Sequence, residues 1–259
     1  KHIEELKIFL KEIPFDILCI NETRLNNSID VNTVGKPGYD IIRRDRNRNG
    51  GGVAIYIRDK LAYTNRNDLM PENLEAICVE IKKPRTKPFL VSSWYRAPDL
   101  NVEIFDSFEI FLRKAEQENK DIIITGDLNC NLLSVEGNTQ VKKLKNLMHT
   151  YQLRQHITTP TRITRISQSF IDIVLTKVDD TKTSDSGVIH VGNSDDSLVY
   201  ICRKISMIKE KPKLIETRQF KHFNAQQFQS DLCCALGAFS NFTIKVYHSL
   251  PQKLGKKSF

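Results

Sequence analysis

The chain has 259 residues, 40% of them hydrophobic, which suffices for one large domain or two small ones with a sizeable core. No apolar run approaches the length of a membrane span, which excludes a transmembrane helix. The net charge of +8 is uneven: residues 204–259 carry ten Lys/Arg against three acids, so the first 203 residues are nearly neutral and the basic tail suits a polyanionic partner.

In chain order, Ile3, Leu6, Ile8, Phe9 and Leu10 set an apolar helical face within residues 2–12. Residues 15–20 read as a buried strand ending at Asn21-Glu22-Thr23. Strands at 39–42 and 53–57 predict a hairpin around a basic, Gly-rich loop, residues 43–52. Residues 75–81 and 89–95 predict two more strands. Ile104, Phe105, Phe108, Phe111 and Leu112 recur at helical spacing within residues 102–117. The β-branched run 121–125 predicts a short strand that Gly126 breaks, with Asp127 and Asn129 directly behind it. A second amphipathic helix is expected over 141–151, and 170–175 and 198–202 are the last strong strands. Past Arg203 the pattern weakens. Residues 205–220 are polar and basic, 223–236 predict one helix, and the domain boundary falls near 204. Strands alternating irregularly with helices predict a mixed α/β sandwich rather than a βαβ repeat.

Six cysteines (Cys19, Cys78, Cys130, Cys202, Cys233, Cys234) form no C-x-x-C pair and no zinc pattern with the histidines. Reduced thiols and an intracellular compartment are expected. The chain opens with neither Met nor a signal peptide and reads as a fragment.

Five polar groups interrupt, follow or immediately precede the predicted strands: Asn21-Glu22-Thr23, Trp94-Tyr95-Arg96, Asp127 with Asn129, Ser194-Asp195-Asp196 just before the last strand, and Asp172 inside the apolar run 170–174. An Asp can bind a hard cation or take a proton from water, and an Asn can donate to a phosphate oxygen. A carboxylate within a buried strand is costly unless paired, so Asp172 calls for a His, a metal or a backbone donor. Taken singly, Glu22 also fits an ordinary surface acid and Tyr95 a core aromatic. Gly50-Gly51-Gly52 fits a hairpin turn, since no nucleotide-binding glycine frame surrounds it. Arg43, Arg44, Arg46 and Arg48 fall in six residues, and suit either DNA phosphates or a solvated hairpin tip.

Taken in order, these pieces resemble the endonuclease/exonuclease/phosphatase superfamily, which has the DNase I-like fold, over residues 1 to about 204. The matching segments are Asn21-Glu22-Thr23, Gly51-Gly52-Val53, Trp94-Tyr95-Arg96-Ala97-Pro98, Gly126-Asp127-Leu128-Asn129, Ser169-Phe170-Ile171-Asp172 and Ser194-Asp195. The Tyr-Arg-x-Pro form is most similar to the endonuclease domain of non-LTR (LINE-type) retrotransposons. The resemblance implies a four-layer α/β sandwich of two packed mixed β-sheets flanked by helices. It implies a divalent-metal phosphodiesterase that nicks target DNA, in a nuclear protein whose basic linker, 205–259, leads to a reverse transcriptase, with the element RNA as a further partner. Residue by residue, it makes Glu22 a ligand of Mg²⁺ or Mn²⁺. Tyr95 would contact the scissile phosphate, Asp127 would orient or deprotonate the attacking water, and Asn129 would steady the developing charge. Asp172 would hold the family's histidine, and Asp195 would help place metal or water. Arg96 and Ser169 would join the four loop arginines on the nucleic acid.

The chain departs from the family in two places. The family's motif ends Ser-Asp-His, whereas this chain reads Ser194-Asp195-Asp196, which brings negative charge towards a phosphate and leaves Asp172 without its partner. Asp127, Asp172, Asp195 and Asp196 should then raise one another's pKa values or bind an extra cation. His190, six residues before Asp196, is the candidate substitute. The family's first strand also has no counterpart, which should leave a strand edge open. Two other functions stay open: a catalytically inactive remnant that binds nucleic acid, and a superfamily phosphatase or phospholipase.

Overall fold

The computed structural model describes residues 3–13, 15–72, 74–134, 138–190, 196–204 and 224–237. The chain divides into two units, Lys1–Ile208 and Lys209–Phe259. In the first, α1 (Ile3–Glu12), β1 (Ile17–Asn21) and the short α2 (Val31–Val34) precede the hairpin of β2 (Tyr39–Arg44) and β3 (Val53–Arg58). Next come β4 (Ala62–Asn65), β5 (Glu75–Lys82), β6 (Phe89–Tyr95), α3 (Ile104–Gln117), β7 (Asp121–Asp127) and α4 (Thr139–Thr150). Six short strands close the unit: β8 (Leu153–Gln155), β9 (Arg162–Ile163), β10 (Gln168–Ser169), β11 (Asp172–Lys177), β12 (Thr183–Ile189) and β13 (Leu198–Arg203). In the second unit the described residues form α5 (Ala225–Gly237). The basic stretch 205–220 lies outside the described residues.

A six-stranded sheet, ordered β4-β5-β6-β7-β11-β8, is the centre of the first unit. Only β6 and β7 run parallel, and α3 provides the crossover that a parallel pair requires. Alternation along the strands sends their side chains to two cores. Trp94, Ile122, Ile124, Ile173 and Leu175 meet Phe105, Phe108, Phe111 and Leu144 of α3 and α4 on one face. On the other, Ile77, Val79, Val91 and Ile123 meet Val53, Ile55 and Ile57 of β3. The outer side of β3 is covered by α2, where Tyr56 Oη donates to Val34 O at 2.7 Å. The order of layers is helix, sheet, sheet, helix, as the resemblance implies.

The second β layer comes in two ladders, β1-β3-β2 and β12-β13. Among the described residues no strand joins them, so β1 and β13 are each paired along one edge only. β1 lies against β6 and β7, and β13 against β11.

Gly126 does not break its strand: β7 runs through it to Asp127. A Cβ at Gly126, whose φ is +147°, would lie 1.9 Å from Trp94 O on the parallel neighbour. Glycine is required there by close backbone approach, not by a turn. Gly126→Ala should therefore destabilise the domain by at least about 3 kcal/mol, measured by chemical denaturation.

Candidate active site

Alternation and register together build one row of side chains. Glu75 faces Tyr95, Tyr95 faces Asp127, and Asp127 faces Asp172, across β5, β6, β7 and β11. All four project from the central-sheet face that meets the second β layer, the face to which Ile77, Val91, Ile123 and Val174 also point. Asp172 opens β11 rather than sitting inside a strand, because Phe170 and Ile171 instead satisfy the loop after β7 through Leu132 N→Phe170 O (2.8 Å) and Leu128 N→Ile171 O (3.2 Å).

The end of β1 delivers Glu22 to this row. Tyr95 Oη donates to Glu22 Oε1 at 2.7 Å, and Arg24 Nη2 donates to Oε2 at 3.3 Å. Burial, then the Glu22 contact, push the Tyr95 hydroxyl above its usual pKa, so it stays protonated and able to donate. Glu22 and Arg24 have φ of 51° and 52°, left-handed values that branched or long side chains adopt only when the surroundings hold them there. The hold comes from the glycine loop: Thr23 N donates to Gly52 O at 3.2 Å and Arg24 N to Gly51 O at 2.9 Å.

Asp127 and Asn129 act as a unit. Asn129 N donates to Asp127 Oδ1 at 2.8 Å, and Asn129 Nδ2 donates to Arg96 O at 2.7 Å and Asp127 Oδ2 at 3.3 Å. Burial, then the Asp172 charge, with smaller contributions from Asp196 and Glu22, raise Asp127 to about 7 against the pull of the Asn129 N–H. Asp172 is raised to about 6, first by burial and then by Asp196, with the Thr161 hydroxyl and Arg162 pulling the other way. Its Oδ2 is buried without a hydrogen-bond partner.

Asp196 enters from a bridge to β9, paired with Arg162, whose Nη1 lies 3.7 Å from Asp196 Oδ1. The structure thus brings Glu22, Tyr95, Asp127, Asn129, Asp172 and Asp196 to one cleft. Asp195 lies outside the described residues. His190 does not substitute for the missing imidazole on Asp172: its Nδ1 is 2.8 Å from Ser197 Oγ, and the ring is exposed.

The residues expected on the nucleic acid are placed unlike one another. Arg96 is 2% exposed, and its guanidinium donates to the carbonyls of Leu100 and Leu128, bracing the loops beneath the cleft. Arg43 is folded inward onto Ile29 O and Asp45, and Arg44 donates to Glu72 O. Arg48 is exposed at the hairpin tip. Ser169 is half-buried opposite Arg162, with its carbonyl taken by Thr161 N. Glu75, Thr161 and Arg162 are neighbours of the site that the motifs did not single out. The ladder registers reveal Glu75 and Arg162, and the hydrogen bonds of Thr161 Oγ1 with Ile171 N and Asp172 N reveal Thr161.

The chain matches the profile of the endonuclease/exonuclease/phosphatase family over residues 1–195. No curated protein matches it. Among solved structures it is similar to the endonuclease domain of TRAS1, a telomere-specific non-LTR retrotransposon, at 18% identity and a TM-score of 0.64, covering 79% of this chain and 93% of that one. It is similar to the 3'-5' exonuclease NExo from Neisseria meningitidis at 15% identity and a TM-score of 0.61, covering 79% and 95%. An AP endonuclease from Archaeoglobus fulgidus gives 14% identity and a TM-score of 0.60, covering 78% and 94%. At these identities the likeness is one of fold.

Proposed function

Because the chain belongs to the endonuclease/exonuclease/phosphatase family, we propose that it is a divalent-metal-dependent phosphodiesterase that nicks DNA, slowed by Asp196 where the family motif has His. The observation that carries this reading is the row Tyr95–Asp127–Asp172, with Asn129 bonded to Asp127 and Glu22 bonded to Tyr95. Burial and the Asp172 charge raise Asp127 well above the usual carboxylate range, towards the value that suits a general base for water. Asn129 Nδ2 fixes the carboxylate's orientation and can turn to a phosphate oxygen. Tyr95 Oη, protonated and bonded to Glu22, can turn its proton to the same phosphate.

The donor set fits Mg²⁺ or Mn²⁺. It consists of carboxylate oxygens alone, led by Glu22 at the open end of the cleft. Among the described residues no three His, Cys, Asp or Glu side chains close a site by themselves. That suits an ion held by one or two carboxylates, with waters and substrate phosphate completing its shell. When bound there, the ion would supply neutralisation of charge on the phosphate.

DNA as substrate is supported by the NExo D146N structure, which holds a product DNA hairpin and shares this fold at 15% identity. Arg43 and Arg96 are tied to backbone carbonyls and largely shielded, whereas Arg48 stands exposed at the hairpin tip, where it can meet a distant phosphate. Arg48→Gln should weaken duplex binding and reduce the slope of log K against log salt by about 1. A slope unaltered by the substitution would remove Arg48 from the DNA. The TRAS1 likeness favours a retrotransposon context, in which residues 205–259 lead to a reverse transcriptase and the element RNA is a second partner. Among the described residues no helix is long and apolar enough to cross a membrane.

The test is conversion of supercoiled plasmid to nicked circles with Mg²⁺ or Mn²⁺, run on the native chain, Asp127→Ala and Asp196→His. Slow nicking that Asp127→Ala abolishes is expected. No nicking by the native chain or by Asp196→His would overturn the reading. A second reading, an inactive remnant that binds nucleic acid, is favoured by the unpartnered Asp172 Oδ2. Duplex binding without nicking in the native chain would support it.

A further inference from the structure

Arg46 differs from every other arginine of its loop. Its Nε donates to Gly50 O at 2.9 Å and its Nη1 to Glu75 Oε1 at 2.8 Å. Glu75 is fixed in turn, its Oε2 accepting from Gly52 N at 2.5 Å. The guanidinium carbon lies 6.0 Å from the centre of the Tyr95 ring, whose hydroxyl is bonded to Glu22. The glycines are shaped around this arrangement. A Cβ at Gly51, where φ is +73°, would come within 2.4 Å of both Arg46 Nε and Glu75 Oε2, and one at Gly50 would lie 3.0 Å from Arg46 Nη2. Gly50-Gly51-Gly52 is therefore a cradle for a side-chain pair, not only a hairpin turn. Two edges of the fork are tied down, and Nη2 takes part in neither bond.

We propose that Arg46 is the fixed cation of this centre and that its Nη2 edge receives a non-bridging oxygen of the scissile phosphate. The inference rests on the phosphodiesterase reading and deepens it. A guanidinium stays charged at any working pH and its planar fork matches phosphate oxygens. A cation oriented beforehand needs no rearrangement as charge builds on the phosphate. Asp196 has put a negative charge where the family motif carries a basic side chain. Arg46, on the Tyr95 side of the row, partly offsets it from the opposite flank.

The experiment uses the full chain carrying Asp196→His. Single-turnover cleavage of a short DNA duplex is measured with Mg²⁺, and duplex affinity with Ca²⁺. Arg46→Gln should slow cleavage about 10²-fold, the scale for losing one oriented charge donor. Affinity should change little, and Arg46→Lys should keep part of the rate. Thermal unfolding of both variants guards against loss of fold, and the Lys variant carries the comparison if the Gln variant unfolds. Arg46→Gln lowering affinity but not rate would make Arg46 a peripheral contact and overturn the proposal, while the phosphodiesterase reading stands. If Asp196→His fails to cleave, that reading falls, and Arg46 is judged by the ¹⁵N signal of its Nε–H on adding duplex with Ca²⁺. A shift of that signal upholds the phosphate contact, and an unmoved signal overturns it.

Discussion

Asp196→His should raise Mg²⁺-dependent plasmid nicking by about 10²- to 10⁴-fold over the native chain, the range that one positioned acid or base contributes. The receiving site is already built. Asp172 Oδ2 is buried and has no hydrogen-bond partner, so it is the acceptor that an imidazole N–H at 196 would find. Asp196 raises both Asp127 and Asp172, which places its carboxylate within electrostatic reach of the two. Exchanging that negative charge for an imidazolium would reverse the sign of the effect on both aspartates and give the leaving oxygen a proton donor. It would also dissolve the ion pair with Arg162, but the two side chains are 45% and 55% exposed, so little stability is lost. Rapid nicking by the native chain, left unaltered by the substitution, would mean that the protein has another acid.

The second large effect is on stability. Asp172→Asn should raise the thermal midpoint strongly at pH 8 and hardly at pH 4. Asp172 is at about 6 and Asp127 at about 7 in the folded chain, against an unfolded value near 3.8 for each. The folded state therefore keeps protons that the unfolded state has released between about pH 4 and pH 7. The contribution of these groups to stability is fully present below pH 4, falls as pH rises through 6 and 7, and is lost above. For Asp172 the raised value corresponds to about 3 kcal/mol at pH 8. An Asn at that position carries no charge to desolvate, and its amide can donate to Asp127 across the ladder. The midpoint should rise by roughly 6 to 12 °C at pH 8. Equal shifts at pH 4 and pH 8 would show that the gain comes from packing instead. Saturating Mg²⁺ should stabilise the native chain at pH 8, and more weakly at pH 4, if the cleft carboxylates hold the ion.

Much of this site is readable from residue order, because its parts sit at the ends of strongly apolar strands. The runs ending at Tyr95 and Asp127 are apolar on both faces, so that they are buried strands is legible, while the face each side chain takes is fixed only by the register. Glu22 lies just past β1 in a left-handed conformation, so its direction is not legible in the strand pattern. Other features depend on which strand lies beside which, and no local pattern holds that information. Gly126 looks like a turn residue until Trp94 is seen against it. Arg96 looks like a phosphate contact until its guanidinium is found on Leu100 and Leu128. Glu75 is an ordinary first residue of a strand until the register sets it beside Tyr95 and beneath Arg46. Short polar strands such as β12, whose Ser184, Asp185 and Ser186 give no apolar signal, escape period counting altogether. Asp172 is the intermediate case. Its need for a partner is legible, but that the Thr161 hydroxyl reaches it while its Oδ2 stays without a hydrogen bond is visible only in three dimensions.

The split of the second β layer has a consequence for the cleft. Glu22 hangs from the ladder β1-β3-β2, whereas Asp196 sits at the mouth of β12-β13. The central row Tyr95–Asp127–Asp172 belongs to neither, being carried by three neighbouring strands of one continuous sheet. Among the described residues the two ladders share no hydrogen-bonded strand and meet through packing, Ile201 of β13 lying against the core that β1 and β3 also line. The cleft is thus one continuous sheet flanked by two separate ladders, one carrying its Glu22 side and the other its Asp196 side. An extended segment paired with the open edges of both β1 and β13 would join the two ladders into one sheet.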